Sequence, residues 1–355
     1  MDIDPKSKIV IYAPEAFSSE SRKKYPLRAK TADGVIRFSN YEILGIYDFT
    51  AHDGENCKNV LGIREDIKVF SSMPDILSLN PKYLFMGVSP EGGNVSSYML
   101  EDIKMALKKG ISVVSGMHFE MSQDPTLSSI AKEKGASLYD VRIPKEDIPV
   151  ASAKAYFSHS KRILTVGMDA AIGKMTVGLA LDNYARKLGR NSAFIATGQT
   201  GIMISGRGIS VDRVIGDFMA GAAEKLVLEY SKKGYDTLFI EGQGSLFHPG
   251  YSGVTLSLIH GSVPTDLILV IRAKRKHSIG SKLIELPTIQ DAIKIHEDIC
   301  LPIQKAKVKC IAVNSYGMDG VSAREYIEKV EDITGLPTDD VLLNGPEKLY
   351  NALKL

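Results

Sequence analysis

Apolar and β-branched residues fall in short runs separated by stretches of helical spacing. In the first part of the chain the runs are Lys8 to Ala13, Tyr41 to Asp48, Tyr83 to Val88, Ile111 to Ser115 and Ala136 to Val141. Ser97 to Lys109 and Pro125 to Lys134 carry their apolar residues at the spacing of an amphipathic helix. Strand runs alternating with helical patterns predict an α/β unit built on a parallel sheet.

The rhythm lapses between Ile143 and Ser160, where Pro144, Lys145, Glu146, Asp147 and Pro149 are followed by the polar Ser158-His159-Ser160. Residues 1–145 are therefore expected to form one α/β domain, 146–160 a linker and 161–355 a second domain. In the second domain Ile163 to Val166, Ser192 to Thr197, Thr237 to Glu241, Leu267 to Ile271 and Val308 to Val313 read as strands. Asp217 to Lys233 and Ser322 to Thr334 read as helices.

The first of those strands ends in Gly167, a loop follows, and Gly173-Lys174 opens a helical pattern with Leu179, Leu181, Tyr184 and Leu188. Strand, glycine loop and helix in that order make a phosphate cradle. Glycines let backbone N–H groups turn onto an anion, the helix N-terminus adds a partial positive charge, and Lys174 adds a full one. The pattern departs from G-x-x-x-x-G-K-[ST] in two ways. Five residues separate Gly167 from Gly173, and Met175 stands where a magnesium-binding hydroxyl would follow the lysine, with Thr176 one residue late. One residue is about 100° of helical rotation, so Thr176 cannot take over that geometry. Phosphate binding is thus better founded than nucleotide hydrolysis, and Gly167, Asp169, Ala171, Gly173, Lys174, Met175 and Thr176 are its candidate residues.

Ligands of open parallel sheets lie outside the carboxyl ends of the strands. Gln199, Thr200 and Gly201 follow one strand end, and Glu241, Gly242, Gln243, Gly244, Ser245 and His248 follow another. Glu241 is placed to bind a metal, orient water or act as a base, or alternatively to cap a glycine turn. His248 is a candidate base near neutral pH or a structural histidine beside Pro249. Arg272, Lys274, Arg275, Lys276 and His277 are a solvated face or a partner for an additional phosphate. In the first domain the loops of interest are Ser89 to Gly93 and Ser115 to His118, with Arg28 to Ala32 as a further basic segment. Ala13-Pro14-Glu15-Ala16 follows its first strand in place of G-x-G-x-x-G, so NAD is not expected.

Composition narrows the classes. The 355 residues are 44% hydrophobic with a net charge of +2, which calls for neither nucleic acid nor an anionic membrane as partner. No apolar run approaches the ~18 residues of a membrane span, and the acidic start Met1-Asp2-Ile3-Asp4 is unlike a secretory signal, so a cytoplasmic protein is expected. Cys57, Cys300 and Cys310 lack zinc or disulfide spacing and are expected to be reduced; a catalytic thiol is the alternative. No metal site is expected, and homo-oligomerisation is left open.

The segments Gly167 to Thr176, Ala196 to Gly201, Asp217 to Gly221, Glu241 to Ser245, His248-Pro249 and Tyr251 to Gly253, taken in order, resemble the domain-of-unknown-function family 1611. The resemblance runs along nearly the whole chain. It implies an N-terminal Rossmann-like domain and a dethiobiotin-synthetase-like P-loop domain. It also implies kinship with D-glutamate N-acetyltransferases that use acetyl-CoA, so the expected partners are acetyl-CoA and an amino acid. Coenzyme A carries a pyrophosphate and a ribose 3′-phosphate, which the P-loop and the basic run would hold without hydrolysis, and Met175 suits that reading. The alternative is an ATP-dependent ligase of the dethiobiotin synthetase type, using ATP with Mg2+ on a small carboxylate or amine. A nucleotide-gated binding module without chemistry is a third class.

Overall fold

A computed structural model of the protein describes residues 3–25, 28–88, 95–144 and 147–355. The chain divides into two compact units, Met1–Ile143 with Ile202–Arg207, and Pro144–Gly201 with Gly208–Leu355. Each is a six-stranded, wholly parallel sheet with helices, the architecture that alternating strand and helix patterns predict.

In the first unit β1 (Lys8–Tyr12), β2 (Glu42–Tyr47), β3 (Val69–Phe70), β4 (Tyr83–Met86), β5 (Ser112–Ser115) and β6 (Leu138–Asp140) lie in the order β3-β2-β1-β4-β5-β6. This is the doubly wound Rossmann order, with its switch point between β1 and β4. The loop after β1 is occupied from within. Asp48, just past β2, accepts from the backbone N–H groups of Glu15, Ala16, Phe17 and Ser18 at 2.8 to 3.1 Å. A side-chain carboxylate thus satisfies the N–H groups that a glycine fingerprint would turn onto a pyrophosphate. The 115–118 turn is also held internally, by Met117 N–H donating to Ser115 Oγ and Arg142 Nε donating to the Gly116 carbonyl. In the basic 28–32 segment Arg28 lies 3.8 Å from the Glu15 carboxylate. The Ser89 to Gly93 loop lies outside the described residues.

In the second unit β7 (Lys161–Gly167), β8 (Ser192–Ile195), β9 (Thr237–Ile240), β10 (Asp266–Arg272), β11 (Lys307–Asn314) and β12 (Thr338–Asp339) lie in the order β12-β11-β10-β7-β9-β8. β7 is central, paired with β9 on one side and β10 on the other. Successive residues feed opposite cores: Ile163, Ile268 and Val270 join one cluster, Leu164, Leu267 and Leu269 the other. A sheet covered on both faces needs continuous apolar runs, and that is why these strands stood out in the sequence.

Beyond short elements the sequence reading did not name, such as Val69–Phe70 and Thr338–Asp339, two longer segments are instructive. Residues 147–160, expected as a linker, are packed on the helix Met219–Lys232 of the second unit. The Glu224 carboxylate accepts from Ser152 N–H, Ser152 Oγ and Ala155 N–H. Gly221 lets the Pro149 carbonyl approach so closely that a Cβ there would lie 1.7 Å from its oxygen. The helix Ser252–Ser262 was not expected, because its buried face mixes Thr255, Gly261 and Ser262 with Val254, Leu258 and Ile259 while Leu256 is exposed on the other side, so the sequence shows no apolar stripe. Gly261 faces the Ala220 carbonyl, where a Cβ would lie 2.0 Å away.

Candidate functional site

The site grows from the carboxyl end of β7. Gly167 ends the strand, and the helix Lys174–Lys187 begins after a six-residue loop in which Ala171 (φ +53°) and Gly173 (φ +108°) adopt left-handed backbone. The strand end and the loop are held at three points. Ser245 Oγ donates to the Gly167 carbonyl at 3.0 Å, Asn314 Nδ2 donates to the Ile172 carbonyl at 2.9 Å, and Gly242 N–H donates to Thr165 Oγ1 at 2.9 Å. A Cβ on residue 242 would lie 1.6 Å from the Thr165 carbonyl oxygen, so glycine there is required for β9 to leave the sheet against β7.

Lys174 lies over Gly167, where a Cβ would come within 3.2 Å of its Nζ. Its ammonium donates to the Asp169 carbonyl at 2.8 Å. Burial pulls its pKa down to about 8 against the opposing pull of Asp169 and Glu241. Met175 and Thr176, the next two helical residues, are half-buried. The Asp169 side chain is engaged elsewhere. It accepts from Arg275 Nη1 at 2.8 Å, Ile279 N–H at 2.8 Å, Ser278 Oγ at 3.2 Å and its neighbour Ala170 N–H at 2.8 Å. Asp169 therefore ties the phosphate loop to the segment after β10.

Glu241 immediately follows β9 and is 6% exposed. Its Oε2 accepts from Thr197 N–H at 2.9 Å and Gly198 N–H at 3.0 Å, while Oε1 accepts no hydrogen bond among the described residues. Burial pushes its pKa up to about 7; the Thr197 and Gly198 N–H groups and Lys174 pull down, and Asp212 pushes up. A carboxylate that exchanges protons near neutrality, one strand away from a buried lysine, has the properties of an acid–base group.

The neighbouring residues shape this end of the sheet. Gln199, Thr200 and Gly201 open the helix Gln199–Ser205. Gln243 donates through Nε2 to the Thr197 carbonyl and to Thr197 Oγ1, and its own carbonyl accepts from Thr255 Oγ1 at 2.7 Å. Gly244 (φ +65°) passes the Tyr251 carbonyl where a Cβ would lie 2.2 Å away. His248 has both ring nitrogens occupied by backbone. Nδ1 accepts from Gly250 N–H at 3.1 Å, which leaves Nε2 as the protonated nitrogen facing the Ile279 carbonyl at 3.2 Å. The ring also stacks on Tyr251, 4.4 Å between centroids. Both ring nitrogens of His248 are thus engaged with the backbone, whereas Oε1 of Glu241, among the described residues, is not.

The basic run is divided in the same way. Arg275 pairs with Asp169, and Arg272 donates to Asn314 Oδ1 and the Tyr316 carbonyl, whereas Lys274, Lys276 and His277 are exposed. Thr165, Thr197, Ser278 and Asn314 were not singled out from the sequence. Their signal was weak: single polar residues in or just past apolar strands, except Ser278, which lies in a loop. The three cysteines are buried, and burial raises each thiol to about 12, so none is poised as a nucleophile. Among the described residues no group of three or more His, Cys, Asp or Glu converges on a metal position, and no helix is long and apolar enough to cross a membrane.

Two family descriptions match this architecture. Residues 50–144 match the domain of unknown function DUF1611_N, a Rossmann-like domain, and residues 149–350 match DUF1611_C, a P-loop domain. The chain belongs to the DUF1611 family. A crystal structure of a DUF1611 family protein from Anabaena variabilis ATCC 29413 superposes with a TM-score of 0.91 at 34% identity, covering 98% of this chain and 99% of that one. A protein from Tritonibacter scottomollicae named D-glutamate N-acetyltransferase is 36% identical over 302 residues, 84% of this chain and 87% of its own. One of the same name from a Pseudoalteromonas species is 33% identical over 283 residues, 79% of this chain and 84% of its own.

Proposed function

We propose that the protein is an N-acyltransferase that moves the acetyl group of acetyl-CoA to the amino group of a small acidic amino acid such as D-glutamate. The observation that carries the reading is Glu241, whose pKa near 7 and unengaged Oε1 sit beside the phosphate loop. The names of the two relatives supply the acceptor class.

The cradle of residues 167–174, with its left-handed turns at Ala171 and Gly173 and its buried lysine, has the chemistry to take the diphosphate of coenzyme A. Exposed Lys274 and Lys276 are available to the ribose phosphate. Glu241 removes a proton from the incoming ammonium, the amine nitrogen bonds to the thioester carbon, and the C–S bond breaks. The second proton that the nitrogen sheds balances the one the departing sulfur takes, and coenzyme A leaves as the free thiol. Gly242 N–H is committed to Thr165, so the N–H groups of 243–245 are the oxyanion donors in this reading.

The same unengaged Oε1, on a carboxylate that feels the Lys174 charge, would suit a metal-assisted ATP-dependent ligase, so both chemistries belong in one assay. Thiol release from acetyl-CoA is expected to require D-glutamate or a close analogue, to persist in EDTA, and to fall in Glu241→Gln. ADP formation that needs Mg2+ and a small carboxylate or amine, with acetyl-CoA inert, replaces the proposal by the ligase reading.

A further inference from the structure

Beside the phosphate loop, on the β10 side of β7, the second unit holds a cavity of about 160 Å³. Met168, Ile271, Leu286 and Ile289 contribute apolar residues to its lining, and Arg272, Arg275 and Tyr326 line it as well. Its volume is about half the ~300 Å³ at which pockets for drug-sized ligands begin, so it suits a molecule much smaller than a nucleotide.

The charges in this wall do not cancel. Asp169 also lines the cavity, but its carboxylate accepts four hydrogen bonds and is matched by Arg275 at 2.8 Å. Arg272 donates to neutral acceptors, Asn314 Oδ1 and the Tyr316 carbonyl, and lies over the Tyr316 ring; Asp340 acts on it through its field, but no carboxylate of the described residues forms an ion pair with it. Two of its five N–H groups are used in this way, which leaves donors for a planar anion. The cavity also abuts Thr288, which caps the helix Ile289–Cys300, so that the positive end of the helix faces the same side.

We propose that this cavity binds a small aliphatic carboxylate, its carboxylate on Arg272 and its methylenes against Leu286 and Ile289. The inference does not depend on acetyl transfer. Isothermal titration of the full chain with glutarate, D-glutamate and inorganic phosphate tests it, in the wild type, in Leu286→Phe to fill the cavity and in Arg272→Gln to remove the charge. Glutarate and D-glutamate are expected to bind the wild type and to lose at least about tenfold in affinity in both variants. If Arg272→Gln does not fold, Leu286→Phe, which alters no hydrogen bond, decides alone. No binding of either carboxylate, undiminished binding in Leu286→Phe, or binding of phosphate alone overturns the proposal. Coenzyme A is titrated in parallel: glutarate binding lost in Leu286→Phe supports the cavity even if coenzyme A does not bind, and that second result counts against acetyl transfer alone.

Discussion

Gly201 lies directly against Glu241: a Cβ at position 201 would stand 2.4 Å from Glu241 Oε2 and 3.1 Å from the Ala196 Cβ. The carboxylate keeps its two backbone donors only because that space is free of a side chain. Gly201→Ala should therefore push the carboxylate off the Thr197 and Gly198 N–H groups. Displacing a catalytic group by an ångström costs on the order of a hundredfold. Acetyl transfer is expected to drop by about that factor in kcat/KM, with coenzyme A affinity nearly unchanged because the phosphate loop is untouched. Wild-type turnover in Gly201→Ala would show that Glu241 is not the base.

The two shifted groups at the site define a narrow pH window. The proposed base must be ionised, which favours pH above about 7, and Lys174 must be protonated to hold an anion, which favours pH below about 8. The free-enzyme kcat/KM profile is expected to be a bell with limbs near those values. Stability follows the same shifts. Between the ordinary 4.5 of a glutamate and about 7, the folded protein holds a proton on Glu241 that the unfolded chain has lost. This group's contribution is therefore full at low pH and falls as pH rises through that window. Glu241→Gln should remove the acid limb of the rate profile and this pH dependence together; a mutant profile with the same acid limb would assign it to another group.

The sequence showed ten of the twelve described strands and the phosphate loop because a doubly covered parallel sheet writes itself as uninterrupted apolar runs, and the loop's glycines are required by its backbone; the two-residue edge strands Val69–Phe70 and Thr338–Asp339 are too short to make such a run. Glu241 was visible because it stands just past such a run. The division of labour around it was not. Whether His248 is a base or a strut depends on Gly250 N–H and the Ile279 carbonyl, backbone groups that no side-chain pattern announces. Asp169 looked like a ligand of the loop, and its partners Arg275, Ser278 and Ile279 come from more than a hundred residues away. The docked segment 147–160 read as a linker because Glu224, Pro149 and Gly221 join through contacts that leave no periodic trace.

Asp169→Asn tests that second assignment. The amide cannot match the Arg275 charge and cannot accept on both atoms, so the segment after β10 loses its anchor while the loop's glycines remain. Removing one partner of a buried pair costs about 3 to 5 kcal/mol, and Arg275, about a quarter exposed, recovers part of that through water. Urea unfolding should show a loss on the order of 2 kcal/mol, with the acid limb of the pH-rate profile, set by Glu241, unmoved. A variant as stable as the wild type would mean that Asp169 is not the tie between these segments.

Lys174 is where stability and ligand binding should oppose each other. Its pKa falls from the usual 10.5 to about 8 because burial penalises the charge, so at pH 7 the folded protein carries an ammonium that the unfolded chain would hold more cheaply. Converted at 1.36 kcal/mol per unit, the cost is about 3 kcal/mol, offset in part by the bond to the Asp169 carbonyl. Lys174→Met keeps most of the volume and removes the charge. It is expected to raise stability at pH 7 by roughly 1 to 2 kcal/mol, once the lost hydrogen bond is subtracted. From pH 8 to 10.5 the folded wild type binds fewer protons than the unfolded chain, so its stability should rise with pH relative to the variant and the difference should close. The same substitution removes the fixed charge of the phosphate cradle, and affinity for coenzyme A should fall roughly tenfold to a hundredfold. Thermal melts at pH 7 and pH 10 with calorimetry on coenzyme A separate the two effects. A destabilised variant, or one that binds as the wild type does, would remove Lys174 from the role assigned to it.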